Sequence, residues 1–445
     1  MPQAATTHER LPFDTQRELP EIDLVFSACR TKPGANFYDL VSFRDRTIDR
    51  WTVPFLPVPR AIDLLKQNVP ADELPFGASS HEDHFHAHYM TPHTAQFCSD
   101  DRLFLGLGDP YNGTCIQVID TREHRTHVLP EDFAEAPMLY ASTGGFTPDG
   151  GQWLFVRWPF RDGLDIAGGR SELAECEIGA LDTASLKIRT LHRLKAADRA
   201  HQVTCSPDGR YLVFSPFKWD LRVPYPAAPI EEEPTGYRRS HEAGIVPCTL
   251  VTVDLESGRH WETELTVPVT AHAHFDPADG RAFYFSAHNI CPTVQGMMIE
   301  GPAAIYKLRI WDGETVIEGE YSDESFFRIS QHTVFTFQGR TVVAVTNLPN
   351  HLDLIDGESM ELWRRRELFP APPLDLSATG NALCPPYPDL SLSLTASRDG
   401  RYVVLESARG WRVYDVEEDR LLDGVVPHRM PENGRPVGHM RTRGE

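Results

Sequence analysis

The feature that most limits what this chain can fold into is a turn that keeps coming back. A short apolar run leads into a turn of the type Ser-Pro-Asp-Gly-Arg, and a second apolar run leaves it. The clearest copy is HQVTCSPDGRYLVFSPF, starting at His201. Others are HTAQFCSDDRLFLGLGD from His93, GGFTPDGGQWLFVRW from Gly144 and HAHFDPADGRAFYFSAH from His272. Two more are QHTVFTFQGRTVVAVTN from Gln331 and LSLTASRDGRYVVLES from Leu392. The runs are short, rich in Val, Phe, Tyr and Leu, and bounded by Asp-Gly or Pro-Asp, which reads as strands joined by tight turns.

Further strands follow in each unit: TCIQVID then RTHVLP, TLVTVDL then RHWETEL, WRVYDVE then RLLDGVV. Four strands in a unit of about 40 to 60 residues predict the blades of a β-propeller. Near the N-terminus, DLVFSAC, NFYDLVSF and TIDRWTV supply three more strands. The expectation is an all-β fold, a seven-bladed β-propeller with four-stranded antiparallel blades. It forms a single domain over 21–428, with an N-terminal arm at 1–20 and a C-terminal tail at 429–445. AIDLLKQNV predicts one short helix between the first two units. The proline-rich insertions PYPAAPIEEEPTGYRR and PAPPLDLSATGNALCPPYPDL belong on a propeller face. A pair of β-sandwiches fits less well, because sandwich strands do not recur with one fixed turn.

Composition narrows the function classes. A net charge of −21 repels nucleic acid and anionic membranes, yet leaves room for a local basic pocket that takes an acidic small-molecule substrate. No apolar run is long enough to span a bilayer. The polar N-terminus lacks the apolar core of a secretion signal, so a cytoplasmic location is expected. The eight cysteines form no CxxC pair, which speaks against a zinc ribbon and for reduced core thiols. There is no Gly-x-Ser-x-Gly elbow, no phosphate-cradling loop and no dinucleotide fingerprint. No basic-aromatic patch for nucleic acid is present.

Histidine is what stands out. Nine positions before the arginine of the turn stand His93 (before Arg102), His201 (before Arg210), His272 (before Arg281) and Gln331 (before Arg340), with His332 beside the last. This register starts the strand that lines a propeller's channel, where one residue type repeated in several blades surrounds a common axis. Three imidazoles with a fourth imidazole or an amide oxygen suit a divalent transition metal, Mn or Fe above all. They do not suit calcium. Whether Gln331 or His332 completes the set is open at this level. HEDHFHAHYM adds His81, His84, His86 and His88, and His288 ends a neighbouring strand. His88 or His288 is the expected general base. Arg157, or Arg161 in the same FVRWPFRDG segment, is the expected partner of a substrate carboxylate.

The blade motif and this His/Gln set resemble the oligogalacturonate lyase family. Its members are seven-bladed propellers with a central divalent metal, usually manganese, held by three histidines and a glutamine. The resemblance covers about residues 88–415, and YASTGGFTPDG looks like that family's third-unit segment. It implies metal-ligand roles for His93, His201, His272 and Gln331. The expected activity is a metal-dependent lyase that removes a proton next to a metal-polarised carboxylate or carbonyl. The first alternative is a non-haem Fe(II) oxygenase with a four-histidine centre, His93, His201, His272 and His332, by architectural analogy with carotenoid-cleaving oxygenases. The second is a non-catalytic propeller scaffold that binds a protein partner.

Overall fold

In the computed structural model the described residues are 6–13, 19–31, 34–55, 58–68, 70–71, 80–82, 92–98, 103–108, 115–132, 138–141, 144–159, 173–197, 200–216, 249–264, 271–287, 290–293, 296–299, 304–323, 329–347, 351–368, 393–407, 410–422, 426–427, 435–436 and 440–442.

The repeated turn is built by one small network. In the unit of Arg210, the Ser206 hydroxyl donates to Asp208 Oδ1 at 2.5 Å and accepts the backbone N–H groups of Arg210 and Tyr211 at 3.1 and 2.8 Å. Ser397 and Asp399 repeat it before Tyr402, and Thr147 and Asp149 repeat it before Gln152. Gly209 and Gly400 sit at φ +74° and +68°, a region that side chains with a Cβ enter only at a cost. The arginine after the turn then reaches an aspartate that ends the third strand: Arg210 to Asp254, Arg401 to Asp415, Arg340 to Asp356. Those aspartates also cap the next turn; Asp254 accepts the N–H groups of Glu256 and Ser257. Ser/Thr, Asp, Gly and Arg at fixed offsets are thus a set of hydrogen-bonding demands, which is why the motif recurs.

Among the described residues six antiparallel blades occupy 92–129, 138–197, 200–264, 271–322, 329–367 and 393–427, the fourth interrupted by a separate hairpin, Ile290–Thr293 with Gly296–Ile299. The first strands of successive blades neighbour one another around an axis. Apolar side chains fill the gaps between blades. Leu154, Trp158 and Ile178 of the second blade meet Val203, Phe214 and Val251 of the third. Val342, Ala344 and Leu354 of the fifth meet Leu394, Val403 and Tyr414 of the sixth. Truncating one large buried side chain of this kind costs about 2–5 kcal/mol.

The expectation of seven like blades is corrected here. The N-terminal strands Asp23–Thr31, Gly34–Ser42 and Thr47–Pro54 do not form an ordinary blade but a six-stranded composite sheet shared by both chain ends. On its inner edge Arg441 pairs with Val25, and Arg435 with Cys29. On its outer edge Thr7–Pro12 pairs with Thr47–Pro54, where Arg10 holds Asp49 through two bonds of 2.8 Å. The arm and the tail, expected to lie outside the domain, therefore supply strands to it. The reason is physical: an open ring leaves unpaired sheet edges, and joining the ends covers them. The composite sheet packs Phe26 and Phe37 on Trp411 and Val413 of the sixth blade, and Val25, Tyr38 and Trp51 on Ala95, Phe97 and Ile119 of the first.

The expected helix is present as Pro59–Asn68, between the composite sheet and the first blade. No described helix is long and apolar enough to cross a membrane. Cys98, Cys115, Cys176 and Cys205 are in no disulfide, and burial raises the thiols of Cys176 and Cys205 to about 12.

Candidate functional site

Each inner strand crosses the ring from one face to the turn on the other. Four of them carry the residues singled out above: Pro92–Phe97, Ala200–Cys205, Ala271–Asp276 and Ile329–Phe337. Their registers can be matched through the residue that faces the preceding sheet or bonds to it: Ala95, Val203, Ala273 and His332. In three of the four strands the ladder breaks just before that residue. His93 and Thr94 lie between the pairs Pro92↔Gly108 and Ala95↔Gly106, so two residues oppose one. His201 and Gln202 lie between Ala200↔Pro216 and Val203↔Phe214. Ser330 and Gln331 lie between Ile329↔Asn347 and His332↔Val345. In the fourth strand the same row is unbroken, and there His272 pairs with Ser286. His93, His201, His272 and Gln331 thus stand on one row of the ring, three of them in β-bulges. Side chains at 93, 201 and 331 fall outside the described residues. His272 is buried, and its backbone N–H donates to the Ser286 hydroxyl at 3.4 Å.

Behind this row the second strands of the fourth, fifth and sixth blades turn polar. Ser286 stands behind His272, Thr346 behind Ser330 and Gln331, and Glu406 behind Ser393, all buried. Adjacent rows hold Phe285, Val345 and Leu405 instead. Glu406 is only 1% exposed, and its carboxyl has no hydrogen-bond partner among the described residues. Burial alone pushes it well above the usual carboxylate range. A neutral acid set behind a ring of candidate ligands is a costly arrangement that packing by itself does not call for.

Beyond the row, toward the turns, a cavity of about 250 Å³ lies on the axis. Inner strands of the ring line it through Gln96, Phe146, Thr204, His274, Val334 and Arg441. His274 also meets His332 edge to face, ring centres 4.6 Å apart. His332 Nε2 lies 3.2 Å from the Tyr284 carbonyl, so that nitrogen carries the proton and donates it. Burial drives the His332 ring down to about 3, against the help of the Tyr284 carbonyl, and Arg441 lowers it further. Burial likewise holds His274 well below its usual value, with His332 and Arg441 adding to the effect. Both rings are neutral at pH 7.

The remaining expected residues fall as follows. His332 faces the preceding blade and not the row, which separates it from Gln331. Arg157, on the second strand of its blade, is engaged by Glu177 at 2.7–2.8 Å and by the Tyr140 hydroxyl at 3.3 Å, and it is not among the cavity's lining. His84, His86, His88, His288 and Arg161 lie outside the described residues. Among the described residues no three His, Cys, Asp or Glu gather as a metal-binding group. Sequence reasoning missed Arg441 and Glu406. The sequence signal for Arg441 was indirect: the first unit offered three strands where the others offered four. No family model matches the chain and no curated protein matches its sequence, so the oligogalacturonate lyase relationship has no support beyond the short motifs.

Proposed function

We propose that the protein is a propeller enzyme acting on a small acidic substrate in its channel, as a metal-dependent lyase. One observation carries this reading: His93, His201, His272 and Gln331 share a row of inner strands, and three of the four sit in β-bulges. Bulges are enriched next to active sites, where they re-aim side chains. Three imidazoles and an amide oxygen are a donor set that fits Mn or Fe. A divalent ion bound there supplies the polarisation that acidifies a C–H beside a carboxylate or carbonyl.

The chain's own residues do the rest. His88 or His288 takes the proton at a ring nitrogen. The buried second-strand residues Ser286 and Thr346 keep water from the outer side of the row. Arg157 is already committed to Glu177, which argues against it as the substrate's carboxylate partner. The four-histidine oxygenase reading requires His332 in the set, and His332 faces His274 and the Tyr284 carbonyl of the preceding blade, away from the row.

Elemental analysis of the purified protein tests the reading. Stoichiometric Mn or Fe is expected, and His201→Ala is expected to remove it. Metal-free native protein, or full metal retention in His201→Ala, would overturn it and favour a scaffold that binds a protein partner.

A further inference from the structure

We infer that the axial cavity is a binding site for a small neutral carbonyl compound, an amide with a compact apolar body, held by Gln96 and Thr204. The two residues belong to a second ring of inner-strand positions, one place nearer the turns than Ala95 and Val203. His274, Thr333 and Thr395 hold that place in the fourth, fifth and sixth blades, and Gly145 holds it in the second. Every side chain in this ring is polar, yet its two halves differ. Thr333 and Thr395 are fully buried, and the Thr395 hydroxyl accepts the N–H of Thr442 from the closing sheet at 3.2 Å. Gln96, Thr204 and His274 line the cavity instead.

The groups on the cavity side have hydrogen bonds left to give. The Thr204 hydroxyl has no partner among the described residues. Gln96 Oε1 accepts the indole N–H of Trp153 at 3.0 Å, which leaves the amide NH2 as a donor, and no described residue accepts from it. Gly145 stands between them in the second blade. A Cβ there would lie 2.8 Å from Cys205, so bare backbone forms that wall. Two neutral donors from different blades suit a carbonyl oxygen, which accepts two hydrogen bonds.

The next ring toward the turns is apolar where it meets the cavity, with Phe97, Phe146, Phe275 and Val334. Such walls favour an aromatic or branched body. Arg441 also lines the cavity, but it is already engaged within the protein, so the anchor is the neutral pair. A charged ligand on neutral donors loses hydration that no opposite charge returns. At about 250 Å³ the cavity falls below the ~300–1,000 Å³ typical of drug-sized ligands, which sets the compound at one ring or a few carbons. The site lies on the turn side of the row and needs neither a metal nor the lyase reaction.

Calorimetric titration of the full chain as purified tests it. A second titration in EDTA tells apart a carboxylate held by a metal. The probes are benzamide and its charged counterparts, benzoate and benzylamine. Benzamide is expected to saturate with a Kd below about 10 mM, unchanged by EDTA, and to bind more tightly than either charged probe in EDTA. Thr204→Val is expected to weaken it about threefold to tenfold, while Thr204→Ser keeps most of the affinity. Gln96→Leu is expected to weaken it by a similar factor. That variant also strands the Trp153 indole N–H, so circular dichroism melts accompany it. No saturable benzamide binding, its loss in EDTA, or tighter binding of a charged probe in EDTA would each overturn the inference. So would unchanged affinity in Thr204→Val or in a folded Gln96→Leu. Benzamide binding by a protein that never holds metal would remove the lyase reading and leave this site standing.

Discussion

Where the inner strands of the second, third and sixth blades enter the turn, the same few bonds appear. Ser206, Asp208 and Arg210 do what Ser397, Asp399 and Arg401 do. At the opposite end the blades diverge. Of four inner strands three carry a bulge and one does not, and the second strands of the fourth, fifth and sixth blades bury Ser286, Thr346 and Glu406. The turn end satisfies its polar groups locally, as a structural element must. The row end leaves the Glu406 carboxyl and the Thr346 hydroxyl without hydrogen-bond partners among the described residues. The difference teaches that the repeat specifies the fold and the departures from it mark where the molecule spends stability on something else.

Three substitutions break or sharpen that contrast. The largest effect is expected at the turn end, from Gly400→Ala. Its Cβ would meet the Thr336 carbonyl oxygen and the Phe335 ring of the neighbouring blade, at a positive φ. Strain and overpacking together should lower stability by about 2–4 kcal/mol, read from urea denaturation. A loss well under about 1 kcal/mol would mean the turns are less rigid than their bonding implies.

Next is Glu406→Gln at the row end, which should act in the opposite direction. Burial raises the native carboxyl above the ordinary 4.5, so the native state holds its proton where the unfolded chain releases it. Stability contributed by the neutral acid is therefore complete below the ordinary value and declines as pH rises above it, by at most about 1.4 kcal/mol per pH unit, until the native group itself ionises. The glutamine variant should lack this decline and be the more stable protein at pH 7. Parallel stability profiles for the two proteins between about pH 5 and 7 would show that Glu406 is not buried as a neutral acid.

The smallest effect is expected from Ser206→Ala, which removes the acceptor of two backbone N–H groups in one turn. A loss of about 1–2 kcal/mol in thermal or urea unfolding is expected, with the fold retained. A loss as large as that of Gly400→Ala would show that the serine, and not the glycine geometry, is the keystone of the turn.

Much of the fold was legible in the sequence because its determinants are local. A turn network spans about five residues, and alternation spans one strand, so both leave periodic traces. The helix Pro59–Asn68 was legible for the same reason. The row was legible at His93 and His201, which occupy the same position in their bulges. At His272 and Gln331 the count from the arginine still lands on the row, though the strands reach it with different turn lengths and without the bulge in one case. The closing sheet was not legible. The pairing of Val25 with Arg441 leaves no local pattern, since each short segment is an ordinary piece of chain until its partner is known. Arg441 was lost with it. Glu406 reads in YVVLES as the polar end of a strand, and nothing short of its neighbours tells that it is enclosed.

The composite sheet also bears on how quickly the molecule can assemble. Within each blade, strands meet partners a few dozen residues away, and those loops close early. The pairing of Val25 with Arg441 spans nearly the whole chain, and it gains its packing only once Trp411 and Phe97 stand on either side. Contact order is therefore concentrated in one seam, and the barrier to a complete ring lies there. Arg441 is set at the axis by that same seam, so a partly assembled ring lacks that side chain in its channel.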